Sequence, residues 1–475
     1  MKRNQQSPPH SDQKIKKDFT DTTQDIEEPT SSSAMADKQQ SPSNGQEVRK
    51  ETQLEMTAMS KFPQSPTSIN ENSASRILSN IQQENSQAIR DMRTHKMSPP
   101  VDEDDPDGIS SKVSTPPVLQ VATASQSDIF KSPDLPTVLE LQTGEKFVVN
   151  GKFGEGVFGI VYFVRGEDNK DYAAKVIKER DRVYASPEEE AYERIAANPH
   201  ENLLLLHLKG SLINPPPTCT PKVFITPACG PSLFDVLDKV ERYLHSSQSA
   251  TFSLTDIRKI GKQVAEAMHH LETLEIYHLD LKIDNIVFTE DFAYETKTGS
   301  KHTVIKMAGT DVKVIDYGNA KFHPPHGEKQ VYKKVQTLVF RAPEVLLGIP
   351  HSVKTDVWSM GCMLMQLYTG EEPFVYQSGT STLEEEQSQF KEVIYTLQVT
   401  VPKVLLEQSK LGRKCRLDLT FLEDFEPKEG QGIRKMMRGQ EDLQLFQLID
   451  LMFTIDPSYR PTFFEVKDHE FFGKT

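Results

Sequence analysis

The sequence predicts an α+β protein in which a small β-rich part precedes a larger helical part, behind a disordered N-terminal tail. Three observations carry this. The chain of 475 residues holds one Trp, 13 Tyr and 24 Phe, yet residues 1–135 contain only Phe19, Phe62 and Phe130. From Leu139 to Ile177 apolar and polar residues alternate, with glycine at the bends, as a small antiparallel sheet requires. From Ile257 to Leu274 and from Thr355 to Tyr368 apolar residues recur at the helical period instead.

Ser, Thr, Gln, Pro and acidic residues dominate positions 1–135, which bury too little apolar surface to offset the entropy of ordering. Within this tail, Arg76 to Lys96 sets Ile77, Leu78, Ile81, Ala88, Ile89 and Met92 near helical spacing, a helix-prone patch that an unknown protein partner could order. Lys14-Ile15-Lys16-Lys17 is too thin a basic cluster to imply nuclear import. Residues 136–475 suit one large domain.

The formal net charge is −14, with fifteen Lys and Arg against twenty Asp and Glu in residues 1–135 leaving −5 there and −9 beyond. Such a balance argues against nonspecific binding to nucleic acid or to acidic membranes, so neither partner is expected. Cys219, Cys229, Cys362 and Cys415 form no C-x-x-C pair and no framework, which fits a reducing compartment. No apolar run approaches a membrane span, and Met1-Lys2-Arg3-Asn4-Gln5 lacks a signal-peptide core. The expectation is an intracellular, monomeric protein of the cytoplasm, the nucleus or both.

Two strand-like stretches, Lys146 to Lys152 and Ile160 to Arg165, flank Gly154-Glu155-Gly156-Val157-Phe158-Gly159-Ile160-Val161. The glycines of this G-x-G-x-x-G-x-V run let a backbone turn lie over phosphates without Cβ clashes. A dinucleotide-binding turn has the same spacing, but a helix should then follow at once; here a second β-rich stretch follows and carries Ala173-Ala174-Lys175. Ser186-Pro187-Glu188-Glu189 predicts a helix start with Ser186 as cap and proline at the first helical position. Glu188 shares a face with Ala191, Tyr192 and Ile195 and could point inward to Lys175, with Glu189, Glu190 and Glu193 as competitors. Lys222 to Thr226 reads as a further strand, followed by Pro227-Ala228-Cys229-Gly230.

The chemistry is concentrated in Tyr277-His278-Leu279-Asp280-Leu281-Lys282-Ile283-Asp284-Asn285 and in Asp316-Tyr317-Gly318. Phosphoryl transfer from ATP needs a carboxylate to accept the hydroxyl proton, a lysine for the moving charge, and an Asn plus an Asp to hold magnesium. Alone, a D-x-G is usually a turn and a D-x-K a solvated loop. Together the two runs closely resemble the protein-kinase catalytic loop and metal-binding triplet. Ala342-Pro343-Glu344, Asp356-Val357-Trp358-Ser359-Met360-Gly361 and Asp456-Pro457-Ser458-Tyr459-Arg460-Pro461 extend the resemblance to roughly residues 140 to 473.

The resemblance implies a two-lobed kinase fold with an N-lobe at about 140–229 and a C-lobe at about 230–473, using ATP and Mg2+ on protein substrates. It implies that Gly154 to Val161 and Ala173 surround the nucleotide and that Lys175 binds its phosphates. The Pro227 carbonyl and the Cys229 N–H would recognise adenine beside a small Thr226. Asp280 would take the hydroxyl proton, Lys282 offset developing charge, and Asn285 and Asp316 hold two magnesium ions. Thr337 would tie the activation segment to Asp280 and Lys282, and Glu344 would pair with Arg460.

Asp280-Leu281-Lys282 and Thr337 resemble serine/threonine rather than tyrosine kinases. Arg341, Leu346-Leu347-Gly348 and the Leu397 to Gln408 insert resemble the CMGC group. Gly230-Pro231-Ser232-Leu233, Tyr332 and the Thr289 to Thr310 insertion look most like its LAMMER and dual-specificity tyrosine-regulated branches. This implies a preference for Ser or Thr followed by Pro, set by Arg341 and its neighbours. Six such pairs punctuate the tail, Ser7-Pro8, Ser41-Pro42, Ser65-Pro66, Ser98-Pro99, Thr115-Pro116 and Ser132-Pro133, either as composition or as regulatory phosphorylation sites.

The departures are Leu279 for the usual Arg, Tyr317 for Phe, Ile283-Asp284 for Pro-Glu, and Tyr332-Lys333-Lys334 where the tyrosine-regulated branch has Tyr-x-Tyr. The LAMMER signature itself is absent. None of these removes a group that would touch ATP, so an active kinase is expected, with an activation segment ordered without phosphorylation. The alternatives are a pseudokinase scaffold acting through its tail, suggested by Leu279 and Tyr317, and a disordered interaction hub.

Overall fold

The computed structural model describes residues 135–473 apart from 157, 245–247, 324–334, 412–415 and 429–430. The tail, with its Ser/Thr-Pro pairs and the Arg76 to Lys96 patch, lies outside the described residues up to position 134, as do Val157, Tyr332, Lys333 and Lys334.

Six antiparallel strands build the first layer: β1 (Val138–Glu140), β2 (Lys146–Glu155), β3 (Gly159–Gly166), β4 (Asp171–Lys178), β5 (Leu208–Ser211) and β6 (Cys219–Pro227), in the order β1-β2-β3-β4-β6-β5. Alternation decides what each face carries. Tyr172, Ala174 and Val176 of β4 join Leu139, Phe147, Val164 and Ile225 in an outer core. Ala173 and Lys175 therefore face the opposite way, opposite Thr226 and Phe224 of β6, with Val161 of β3 paired to Lys175. By the same alternation the Ile160 side chain, in the glycine run, packs against the outer core, on the face opposite Lys175.

A helix at Ala185–Ala197 packs against that inner face, but it does not begin as its sequence suggested. A 3-10 turn at Glu179–Tyr184 runs straight into it, and the Ala185 N–H bonds the Arg182 carbonyl, so Ser186 is the second helical residue and makes no cap. Pro187 is tolerated at the third position because first-turn N–H groups have no intrahelical partner in any case.

Helices dominate beyond residue 230: Leu233–Glu241, Leu254–Thr273, Lys354–Thr369, Thr382–Leu397, Lys403–Leu411 and Leu443–Met452, with short turns at Pro343–Leu346 and Phe463–Lys467. Ser232 and Ser253 cap the first two, accepting from the N–H groups of Asp235 and Asp256. In Lys354–Thr369, thirteen of sixteen residues are buried, so this helix is the centre of the domain rather than a surface element. Its Trp358 stacks on Phe374 with centroids 5.5 Å apart and meets Phe453 at 5.0 Å.

Small strand pairs pin the connections that carry function. β8 (Ile276–Tyr277) pairs with β13 (Lys321–Phe322), and β9 (Ile286–Phe288) with β12 (Val312–Val314). These two pairs bracket the catalytic-loop and Asp316 runs. The long insertion folds as a hairpin of β10 (Tyr294–Thr298) and β11 (His302–Met307), and β11 adds in parallel to β7 (Ser249–Phe252).

Candidate active site

Lys175 is where the sheet meets the helical part. Its Nζ lies 2.8 Å from Glu188 Oε1 and 2.7 Å from Asp316 Oδ1. Burial alone would pull the Lys175 ammonium down, but the carboxylates of Asp316 and Glu188 outweigh it and hold the group above its ordinary value. Asp316 moves the other way: burial would raise its carboxyl, and the adjacent Lys175 charge keeps it below the usual range. Glu188 is fully buried, and the remaining glutamates of its helix face other cations. Glu189 contacts Lys209 and Lys222, Glu190 contacts Arg194, and Glu193 contacts Lys209.

Asp316 holds φ 64°, ψ 81°, a left-handed conformation that Asp tolerates because its short side chain bonds locally; here Oδ1 accepts from the Gly318 N–H at 3.2 Å. The next residue fixes that geometry. Tyr317 is fully buried, its hydroxyl donates to the Val314 carbonyl at 3.1 Å, and its ring lies edge-on to Tyr192 at 5.2 Å. Tyr192 follows Glu188 by one helical turn, so one face of one helix seats both the Lys175 partner and the Tyr317 ring. His278 completes the group, with its ring 5.8 Å from Tyr317 and Nε2 3.0 Å from the Ile315 carbonyl.

The catalytic loop is hung from the central helix. Buried Asp356 accepts from the N–H groups of His278 and Leu279, both at 2.8 Å, which holds Leu279 at φ 58°. Asp280 Oδ1 then accepts from the Thr337 hydroxyl at 2.9 Å and the Thr337 N–H at 3.2 Å, while Lys282 Nζ donates to the same hydroxyl at 3.2 Å. Asn285 Nδ2 donates to the Asp280 carbonyl at 2.7 Å, which orients its amide and leaves the amide oxygen available. That oxygen and the Asp316 carboxylate are hard donors of the type magnesium takes.

The glycine run closes on itself through Gly156 N–H to Gly159 carbonyl at 2.9 Å. A Cβ at Gly154 or Gly156 would meet nothing within 4 Å, whereas one at Gly159 would lie 2.6 Å from the Val176 carbonyl. The first two glycines thus leave open space for a ligand, and the third permits close strand approach. Phe158 lies over Gly318 and 4.8 Å from the Tyr184 ring. Lys178 ties the run down, with Nζ 2.9 Å from the Gly156 carbonyl and 2.8 Å from Glu155 Oε1.

At the connector, Thr226 is buried beside Ala173, and the Ala228 and Gly230 N–H groups are bonded to the Asp171 and Phe288 carbonyls. Among the described residues the Cys229 N–H has no such partner; its thiol lies 3.9 Å from the Pro227 carbonyl. A Cβ at Gly230 would fall 2.2 Å from the Glu290 carbonyl, so only glycine passes there.

Farther on, Glu344 and Arg460, both fully buried, pair bidentately at 2.7 and 2.9 Å. Arg341 donates to the carbonyls of Val335 and Gln336 at 3.1 Å each and to Glu386 at 2.8 Å.

The protein kinase domain model matches residues 147–472. The chain belongs to the protein kinase domain family. Among curated proteins this kinase domain is similar to the serine/threonine-protein kinase Doa of Drosophila melanogaster, 27% identical over 344 residues that cover 69% of this chain and 39% of that protein. It is 25% identical over 346 residues to the dual specificity protein kinase CLK4 of Homo sapiens, covering 69% of this chain and 66% of the relative. The serine/threonine-protein kinase AFC3 of Arabidopsis thaliana is 25% identical over 353 residues, 82% of its length. A crystal structure of a kinase domain superposes with a TM-score of 0.57 at 23% identity, covering 73% of this chain and 99% of that one, and shows the same fold. The relatives place the resemblance in the CMGC group, on its LAMMER side.

Three residues of the kinase domain's site escaped the sequence reading. Asp356 was visible only as part of a motif, without a role. Lys178 carried a weak signal, since it follows Lys175 by three along β4. Gln336 carried none, because each of its side-chain partners lies six or more residues away.

Proposed function

We propose that this chain is an ATP-dependent protein serine/threonine kinase. The observation that carries the reading is the joint placement of Lys175 with Glu188 and Asp316, and of Asp280 with Thr337, Lys282 and Asn285, the two runs being tied by the Ile315 N–H, which donates to the Asn285 carbonyl at 3.0 Å. Asp280 accepts the substrate hydroxyl proton, Lys282 offsets charge that develops on the phosphoryl group, and Lys175 grips the nucleotide phosphates. Gly154 to Gly159 cover those phosphates, and the Pro227 carbonyl and Cys229 N–H recognise adenine. Asn285 and Asp316 would hold magnesium, which when bound neutralises the phosphate oxygens. Protein substrates follow from this reading, with a preference for Ser or Thr followed by Pro, supported by the capture of two main-chain carbonyls by Arg341. No helix among the described residues is long and apolar enough to cross a membrane. We place the protein in the cytoplasm, the nucleus or both, and as a monomer.

Lys175→Met tests the reading. It removes the ammonium from between two carboxylates at nearly constant volume and is expected to lower kcat/KM on the order of 10²–10³. Steady-state kinetics with purified protein on a peptide array decides it, and unchanged turnover with contaminating kinases excluded would refute the assignment.

Activation is proposed to need no phosphate. Where a kinase commonly has an arginine that grips a phosphorylated segment, Leu279 is buried against Tyr277 and Val335, with Val345 and Val353 around them. Phosphatase-treated protein and a Tyr332→Phe variant should therefore keep most of their activity. A fall of tenfold or more, about 1.4 kcal/mol of barrier, would contradict this.

A further inference from the structure

The glycine run is fastened from its outer side by Lys178, the last residue of β4. Ile177 belongs to the core shared with the Ala185–Ala197 helix and Val176 to the outer core, so alternation sets Lys178 on the face opposite Lys175. From there it reaches both limbs of the turn. Its Nζ lies 2.9 Å from the Gly156 carbonyl and 2.8 Å from Glu155 Oε1, while its backbone N–H donates to the Phe158 carbonyl at 3.1 Å. The Lys178 side chain is only 13% exposed, so its stem lies along the sheet and its ammonium is held in place.

The ladder between β2 and β3 ends at Glu155 and Ile160. Beyond it, packing does not locate Gly156, where a Cβ would meet nothing within 4 Å, and the Gly156 N–H is spent inside the turn on the Gly159 carbonyl. Lys152 also reaches Glu155, at 3.4 Å, but it precedes Glu155 by three residues on β2 and moves with that limb. The ammonium of Lys178 is what joins the Gly156 carbonyl to β4. Because it lies on the outer face, the run stands between its charge and a nucleotide in the cleft, so it acts through the backbone that it holds.

We propose that Lys178 is a positioning residue for the nucleotide: its ammonium and its backbone N–H fasten the Glu155 to Phe158 turn at the height at which it covers the phosphates. Nucleotide residence in the cleft then depends on a residue that faces away from it. Glu155 serves as the second half of the fastening, since it fixes the ammonium beside the Gly156 carbonyl. The inference rests on the kinase reading above, which assigns the run to the phosphates.

The test uses the full chain and a fluorescent nucleotide, N-methylanthraniloyl-ADP, whose dissociation is followed by stopped flow with magnesium present. Lys178→Met keeps the aliphatic stem and the backbone bond to Phe158 but loses both Nζ contacts. It should speed ADP release and raise the ATP KM, each about tenfold, with the peptide KM and the affinity for adenosine unchanged within about twofold. The pair it breaks is near the surface, so the melting temperature should move by no more than about 2 °C. Lys178→Arg can still donate to a carboxylate and a carbonyl together and should hold release within about threefold of the parent. Glu155→Gln separates fastening from direct charge. A turn fastened by Lys178 loosens when its carboxylate is lost and releases ADP about threefold faster, whereas a lysine that drew the phosphates itself would be freed from Glu155 and slow the release. Unchanged ADP release in Lys178→Met, adenosine weakened in the same proportion as ADP, or slower release in Glu155→Gln would each overturn the inference. A parent that binds ADP but phosphorylates no peptide on an array contradicts the kinase reading instead, and the release rates still decide the fastening.

Discussion

Asp280→Asn is expected to lower kcat by about 10²–10⁴ while leaving the fold intact. The substitution is nearly isosteric, and an amide oxygen at this position can still accept from the Thr337 hydroxyl and N–H, which now bond Oδ1 at 2.9 and 3.2 Å. What disappears is the capacity to take a proton. Lys282, at 3.8 Å from Asp280 Oδ2, loses the negative partner that holds it near the reacting group. The expected profile is therefore a fall in kcat with little change in the ATP KM, which separates lost chemistry from lost binding. Turnover comparable with the parent, or a melting temperature lowered by more than about 4 °C, would count against this account.

Arg460→Met is expected to destabilise the domain by about 3–5 kcal/mol, the largest stability effect of any single change considered. Both partners of the Arg460–Glu344 pair are fully buried. Burial would raise the Glu344 carboxyl, and the Arg460 guanidinium keeps it below its usual range, so removing Arg460 leaves an uncompensated charge in the core. Arg460 also donates to the carbonyls of Thr454 and Lys354 and lies 5.2 Å from the Trp358 ring. Adding Glu344→Gln should recover part of the loss, because the buried charge goes with it. Urea unfolding measures both; a single-variant loss under about 1 kcal/mol would refute the prediction.

How much was legible beforehand depended on how far along the chain each cause extends. Asp280, Lys282 and Asn285 fall within six positions, so their grouping is written in one short run. Strand alternation likewise follows from neighbours, which is why the β-rich and helical parts were separable by period alone. The start of the Ala185–Ala197 helix was misjudged because the preceding 3-10 turn, invisible to a cap motif, continues into it. Which of four glutamates faces Lys175 turns on where Lys209, Lys222 and Arg194 lie, and two of these sit on strands far along the chain. Gln336 was illegible for the same reason: its strain and its three side-chain bonds are tertiary facts.

The pocket around Leu279 has a consequence for how this segment responds to its surroundings. A loop held by phosphate and arginine is held by charge, which dissolved salt screens over about 8–10 Å at moderate ionic strength. A loop held by Leu279, Tyr277 and Val335 is held by excluded water, which ions of ordinary strength barely affect and which weakens on cooling. Such a segment is expected to respond less to dissolved salt than one held by a phosphate, and to lose part of its apolar grip on cooling while Asp356 still holds the Leu279 N–H.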